Sequence, residues 1–173
     1  MSNTKKLVFA GVCLALCMVL PFLTGQIPQV GGMLLPMHLP VLLCGFICGW
    51  PMGLLVGFIA PLLRSFIFGM PPLFPTAIAM AFEMAAYGAL CGLLYALLPK
   101  KPAFVYVSLL GAMLGGRVVW GLATALLLGG GGFTFAAFLA GAFLNAWPGI
   151  LLQLVLVPPL VLVLQKAGLS PNK

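Results

Sequence analysis

The sequence predicts an all-α integral membrane protein with six transmembrane helices and both termini in the cytoplasm. Hydrophobic residues make up 64% of the 173 residues and charged residues only 5%, which is too little polar surface for a water-soluble domain of this length. Basic residues outside the apolar segments occur in three places, separated by loops without Lys or Arg. The three places hold Lys5 and Lys6, Lys100 and Lys101, and Lys166 and Lys173. The positive-inside rule assigns all three to the cytoplasm.

The length of the chain suits six crossings and little else, because a hydrocarbon core about 30 Å thick needs ~20 apolar residues in a helix. We therefore expect a single transmembrane domain over residues 1–173. The predicted helices cover residues 7–24, 36–50, 52–68, 75–98, 103–128 and 134–165. The first of them follows two lysines, as a signal peptide would, but no A-x-A cleavage site follows it. We expect it to be a retained helix.

Proline and glycine mark the connections between these helices. Trp50-Pro51 predicts a tight inner turn in which the proline begins the next helix. Pro148, inside the last segment, removes a backbone hydrogen bond and predicts a kink there. The first outer loop, residues 25–36, is too apolar for a solvated linker and too rich in proline and glycine for a helix. We expect it to fold over the protein as a lid, on the side that also carries the proline-rich loop 69–75 and the four glycines 129–132.

Three charged residues lie inside the apolar segments: Arg64, Glu83 and Arg117. Each costs roughly 2.5–3.5 kcal/mol at the membrane centre on insertion scales, so each is a candidate for function. In one interpretation Glu83 pairs with Arg117 or Arg64 and joins two helices. One acid cannot neutralise two arginines, however, and the planar fork of a surplus arginine suits a carboxylate or phosphate ligand.

Four further residues complete the candidate binding site. His38 stands at the outer start of the second helix, Trp120 lies one turn outward from Arg117, and Asn145 and Trp147 flank the predicted kink. The tryptophans are also explained by core packing or by anchoring at the membrane interface.

Several chemistries find no support in the sequence. No G-x-x-x-x-G-K-[ST] phosphate loop is present, so the chain has no ATPase of its own to drive transport. The basic residues are scattered at segment ends without interleaved aromatics, which gives no indication of nucleic-acid binding. The pairs Cys13 with Cys17 and Cys44 with Cys48 suit a soft metal by spacing alone, but no imidazole is near them in sequence. We expect neither a metal nor a cofactor.

Three stretches of the chain resemble the substrate-binding S component of an energy-coupling factor (ECF) transporter: 36–45 (PMHLPVLLCG), 61–65 (PLLRS) and 115–121 (GGRVVWG). The resemblance in length and topology covers essentially the whole chain. It implies a protein that captures a vitamin or cofactor precursor from outside. The protein would then dock on a transmembrane coupling subunit (T component) bearing two ATPases, topple in the membrane and release its cargo inside.

The resemblance also implies roles for particular residues. The small-residue pair on the first helix of the family, usually two alanines four apart, falls on Gly11 and Ala15 and implies a docking surface. Nickel and cobalt members of the family carry a histidine next to the initiator methionine. Ser2 stands in that place, so a metal cargo is not expected.

The identity of the cargo stays open at this point. The surplus arginine favours a molecule with a carboxylate or phosphate, with pantothenate as the first choice and vitamin B6 forms, folate and cobalamin as alternatives. Two other classes of protein are also compatible with the residues. An intramembrane enzyme would need a reactive pair near His38, for instance with Ser65, whereas in a non-transporting scaffold or channel subunit the outer arginines would be expendable.

Overall fold

In the computed structural model, which describes residues 1–24, 27–129 and 132–169, all regular secondary structure is helical. The α-helices are α1 (Asn3–Val19), α2 (Pro28–Leu34), α3 (His38–Cys48), α4 (Trp50–Phe68), α5 (Ile78–Leu97), α6 (Pro102–Leu127), α7 (Phe135–Leu139) and α8 (Trp147–Lys166). A 3₁₀ turn (Leu20–Thr24) continues α1, a kinked segment (Leu73–Ala77) precedes α5, and a π-helical turn (Ala140–Leu144) follows α7. Within the described ranges six helical segments are long and apolar enough to cross a membrane, which confirms the predicted fold class.

The two ends of the bundle differ in charge. At one end of the bundle α1 begins, α3 meets α4, α5 meets α6 and α8 ends. We call this end the lysine face. Cys48 Sγ donates a hydrogen bond to the Lys6 carbonyl there (3.4 Å), Gln165 Nε2 donates to the Tyr95 hydroxyl (2.9 Å), and Lys100 Nζ donates to the Tyr95 carbonyl. We call the opposite end the cavity face. The positive-inside rule predicts that the lysine face is cytoplasmic.

A single residue connects α3 and α4. Gly49 has φ 94°, in the left-handed region that favours glycine, and α4 begins directly after it at Trp50. Pro51 lies in the first turn of α4, where a missing backbone N–H leaves no helical hydrogen bond unmade. The turn therefore falls one residue earlier than the predicted Trp50-Pro51 joint.

The expectation that the first outer loop contains no helix is wrong, because Pro28–Leu34 forms α2. Pro28 is tolerated at the start of this helix. The helix packs on the first turn of α8 so closely that a Cβ atom at Gly149 would lie 2.6 Å from the Met33 carbonyl oxygen. This tertiary contact outweighs the low helix propensity of the segment. Residues 25 and 26 of the predicted lid lie outside the described residues.

The last predicted segment, 134–165, is divided in the structure. It contains α7 with its π-helical turn, a turn at Asn145 and Ala146, and then α8, which begins at Trp147 with Pro148 in its first turn. Pro148 therefore lies in the first turn of a helix, a position that proline favours, and does not kink a continuous helix. Within the third outer loop, residues 130 and 131 lie outside the described residues.

Close backbone contacts hold α3, α4 and α5 together. A Cβ atom at Gly53 of α4 would lie 2.8 Å from Gly45 Cα on α3 and 2.8 Å from the Gly88 carbonyl carbon on α5. Only glycine permits backbones to approach this closely, as is common where helices associate in lipid. These glycines therefore serve internal packing, and they hold α3, α4 and α5 together in the half of the bundle nearer the lysine face.

Candidate functional site

A cavity of about 510 Å³ lies at the cavity face of the bundle. The 3₁₀ turn after α1, helix α2, the loop between α4 and α5 and the cavity-face ends of α3 to α6 surround it. Most of the lining is apolar. The polar side chains that line it are Thr24, His38, Arg64, Thr76, Glu83 and Arg117. A mainly apolar pocket with a few convergent polar groups is typical of a small-molecule site.

Glu83 pairs with Arg117 across α5 and α6. Arg117 Nη1 donates to Glu83 Oε1 at 2.8 Å, and the two residues are 4% and 2% exposed. His38 Nε2 lies 3.5 Å from the same carboxylate oxygen, and the His38 ring packs edge-on against Tyr87 with 5.0 Å between ring centroids. The question left open by the sequence is thereby decided, since Glu83 contacts Arg117 and not Arg64.

Arg64 occupies a different part of the lining. Its Nη1 donates to the Met18 carbonyl of α1, and its guanidinium carbon lies 5.0 Å from the ring centroids of Phe22 and of Phe68. These two rings meet edge-on at 5.0 Å. The arrangement fixes the guanidinium by cation–π contact and one hydrogen bond, and no carboxylate lies within ion-pair distance of it among the described residues.

Several buried polar atoms beside the Glu83–Arg117 pair lack a hydrogen-bond partner in the described part of the chain. They are Arg117 Nε and Nη2, both ring nitrogens of His38, and the Tyr87 hydroxyl oxygen. Leaving such groups unsatisfied costs about 1–3 kcal/mol each, so buried polar atoms normally find a partner. A bound molecule with both donors and acceptors meets this requirement.

Trp120 closes one side of the cavity. Its ring stacks on Phe138 (6.3 Å between centroids) and meets Phe133 edge-on at 5.7 Å. A Cβ atom at Gly141 would lie 2.6 Å from Trp120 Cη2, so the indole fits against the backbone of the π-helical turn after α7. Such turns occur frequently at functional sites. The kinked segment before α5 contributes Thr76 to the lining.

The structure brings five of the seven predicted site residues to one cavity: His38, Arg64, Glu83, Arg117 and Trp120. Asn145 and Trp147 do not line it. Asn145 is exposed and Trp147 is 58% exposed, because the turn before α8 buries the intervening Ala146 in their place. Both residues flank the turn before α8, where the sequence predicts a kink, and their assignment to the site stays a prediction.

Three polar residues near or in the cavity were missed by sequence reasoning. Tyr87 follows Glu83 by four residues and lies on the same face of α5, so the spacing alone could have identified it. Thr24 lines the cavity from a 3₁₀ turn and Thr76 from the kinked segment before α5. Helical periodicity gives no signal for residues in such segments.

The residues named for an enzyme are not arranged as a reactive pair. Ser65 does not line the cavity, and no hydrogen bond joins it to His38 within the described ranges. The five cysteines are free and buried. In the part of the chain that the structure describes, no three His, Cys, Asp or Glu side chains are arranged to hold a metal ion.

The small residues Gly11 and Ala15 lie on the exposed side of α1, where no atom comes within 4 Å of a Cβ built at Gly11. Both residues are exposed and face away from the bundle, unlike the packed glycines of α3, α4 and α5.

Comparison with known families agrees with this architecture. The profile of the family described as "ECF transporter, substrate-specific component" matches residues 5–161. Comparisons with curated proteins and with solved structures gave no significant match. Because the family match extends from α1 into α8, covering all six crossing segments and the cavity, the chain belongs to the substrate-specific S components of ECF transporters and is a multi-pass cell-membrane protein of transport rather than an enzyme.

Proposed function

We propose that this protein captures a carboxylate-bearing vitamin or cofactor precursor, such as pantothenate, for an ECF-type ABC importer. Partner subunits then drive uptake with ATP, since the chain has no phosphate-binding loop. The observation that carries the proposal is the composition of the cavity, which holds two arginines and one acid within a mainly apolar lining. A carboxylate supplies the missing negative charge, and arginine binds carboxylates with good geometry.

The size of the cavity narrows the choice of cargo. A volume of about 510 Å³ falls in the range of roughly 300–1,000 Å³ that is typical for small-ligand pockets. It suits pantothenate or a vitamin B6 form, whereas cobalamin, a corrinoid several times larger than pantothenate, does not fit. Folate carries two carboxylates, and the lining offers one arginine beyond the one paired with Glu83. The small monoacids are therefore favoured.

The position of the cavity supports capture from outside. The cavity lies at the end opposite the lysine face, so the positive-inside rule directs its opening outward. Helix α2 contributes Gly31, Gly32 and the following Leu35 to the lining and rests on α8 at Gly149. We propose that α2 covers the bound cargo.

Native mass spectrometry of the detergent-purified protein tests the proposed function, followed by titration calorimetry with the molecule identified. A single vitamin-sized mass that rebinds to the emptied protein would support capture. A protein that carries no small molecule, and that gives no heat with pantothenate, pyridoxine, biotin, nicotinate or lipoate, would contradict it.

The exposed pair on α1 predicts how the protein docks. We expect Gly11→Leu to reduce recovery of the complex with the T component and its two ATPases about tenfold or more. A bulky side chain in a close helix contact costs ~1–3 kcal/mol, and each 1.4 kcal/mol is a factor of ten. The measurement is co-purification of the tagged variant with a coupling module from the same cell, quantified against wild type.

Two comparisons make the docking test specific. Cargo binding by Gly11→Leu should match wild type, because no atom lies near a Cβ at this position. Val118→Leu, at a residue of α6 that is 54% exposed, enlarges a different part of the bundle surface and should co-purify normally. Equal recovery of Gly11→Leu and Val118→Leu would place the docking surface elsewhere.

A further inference from the structure

The two arginines of the cavity are not equivalent. Glu83 is the only Asp or Glu in the chain, and its Oε1 accepts from Arg117 Nη1 at 2.8 Å. Arg64 also lines the cavity, is 2% exposed, and has no acidic partner among the described residues. A buried charge without a counter-ion is costly. The uncompensated positive charge of the cavity therefore belongs to Arg64.

The contacts of Arg64 fix its position without neutralising it. Phe22 and Phe68 flank the guanidinium, each ring centroid 5.0 Å from its central carbon, and Nη1 donates to the Met18 carbonyl. Cation–π contacts and one neutral acceptor hold the planar group in place. The hydrogen-bond donors that remain on this guanidinium are available to an anion, which arginine binds through paired N–H groups.

A second group of polar residues is electrically balanced. Glu83, Arg117 and His38 line the cavity, Glu83 and Arg117 neutralise each other, and Tyr87 packs edge-on against His38 behind the lining. Arg117 Nε and Nη2, both His38 ring nitrogens and the Tyr87 hydroxyl oxygen are buried without hydrogen-bond partners in the described part of the chain, and His38 Nε2 lies 3.5 Å from Glu83 Oε1. A second anion here would be repelled by the Glu83 carboxylate. A hydroxyl or amide instead offers the donor and the acceptors that these atoms lack. We call these four residues the neutral cluster.

We infer that the cargo is a small monoanion recognised at two separate points: its carboxylate binds Arg64, and a hydroxyl or amide elsewhere in the molecule binds the neutral cluster. Arg64 contacts Met18, Phe22 and Phe68, and among the described residues no hydrogen bond, ion pair or ring contact joins these three residues to the neutral cluster. The inference rests on the proposed capture function. It assigns the selection of acids to Arg64 and not to Arg117.

Arg64→Met and Arg117→Met provide a matched test, because the same substitution has opposite expected effects on the empty protein. Arg64→Met removes an uncompensated buried charge, so the apparent melting temperature should stay unchanged or rise. Arg117→Met leaves Glu83 without its cation, so the melting temperature should fall. The five buried cysteines make a thiol-reactive fluorogenic dye a suitable reporter of unfolding in detergent.

Binding is then measured by calorimetry with acids and their neutral analogues: pantothenate with pantothenol, biotin with biotinamide, lipoate with lipoamide, and nicotinate with nicotinamide. Wild type should prefer the acid of the pair it binds. Arg64→Met should weaken binding of that acid about 10- to 100-fold, as expected for lost charge-assisted hydrogen bonds, and should remove the preference over the neutral analogue. Arg64→Lys keeps the charge and should retain part of the preference.

The inference would be overturned if Arg64→Met kept the preference for the acid. It would also be overturned if Arg64→Met lost as much thermal stability as Arg117→Met, which would assign Arg64 to structure. Binding of none of the acids by wild type, or a preference of wild type for the neutral analogues, would overturn it as well. Native mass spectrometry separates these results from a failure of the proposed function, because a co-purified vitamin that is neutral or carries two negative charges leaves capture standing and removes only the assignment to Arg64.

Discussion

Glu83→Ala is expected to destabilise the protein by about 3–5 kcal/mol, the usual cost of removing one partner from a buried ion pair. The substitution leaves Arg117 and Arg64 as two buried cations with no carboxylate between them, since the chain has no other Asp or Glu. It also removes the carboxylate oxygen 3.5 Å from His38 Nε2. We expect a lower yield of folded protein in mild detergent and a lower apparent melting temperature, measured with a thiol-reactive dye.

A double variant distinguishes loss of charge balance from loss of side-chain volume. Glu83→Met combined with Arg117→Met removes both charges and restores bulk, and replacing a buried pair by apolar side chains is often neutral or stabilising. The double variant should therefore melt above Glu83→Ala and above Arg117→Met alone. If it melts as low as Glu83→Ala, the ion pair is not what holds α5 and α6 in place.

Gly88→Leu is expected to cost more than ~3 kcal/mol, above the usual range for overpacking in a core. Any Cβ at Gly88 would overlap the Gly53 carbonyl, and a backbone cannot move aside as a flexible side chain does. α4 and α5 must then separate, and the cavity loses the arrangement in which these helices present Arg64 and Glu83. We expect little folded protein, and no cargo binding by the fraction that does fold.

Gly11→Leu is the matched control for this prediction. It makes the same substitution in a transmembrane helix, at a position where nothing lies within 4 Å of a Cβ. Its melting temperature in detergent should stay close to that of wild type. Similar losses in both variants would mean that leucine at either glycine harms folding through insertion or propensity, and not through the contact with Gly53.

Parts of the fold follow from the sequence because hydropathy and charge act locally. Long apolar segments must bury their backbone hydrogen bonds in helices when they enter lipid. The lysine pairs at 5–6 and 100–101 predict which helix ends share a face, and α1 begins and α5 meets α6 at the same face of the structure. Helix α2 could not be predicted in this way. Its propensity is low, and its stability comes from contact with Gly149, more than a hundred residues away in sequence.

The candidate site, like the fold, could be predicted from the sequence only in part. Arg64, Glu83 and Arg117 could be named from the sequence because an ionisable residue in an apolar segment is costly wherever it lies. Which arginine Glu83 contacts depends on how α4, α5 and α6 rotate against one another, and no local pattern encodes that rotation. Trp147 was named because it lies beside the predicted kink, and the sequence could not show that its side chain is exposed at the turn before α8.

Composition and the order of charges along the chain predict a membrane protein with six crossings that carry one acid and two arginines, since each residue's cost of transfer into lipid is nearly independent of its neighbours. The partner of Glu83 could be identified only in the folded chain, because ion pairing depends on distances of a few ångströms between helices. Arg117 Nη1 lies 2.8 Å from Glu83 Oε1, and Arg64 has no acidic partner among the described residues.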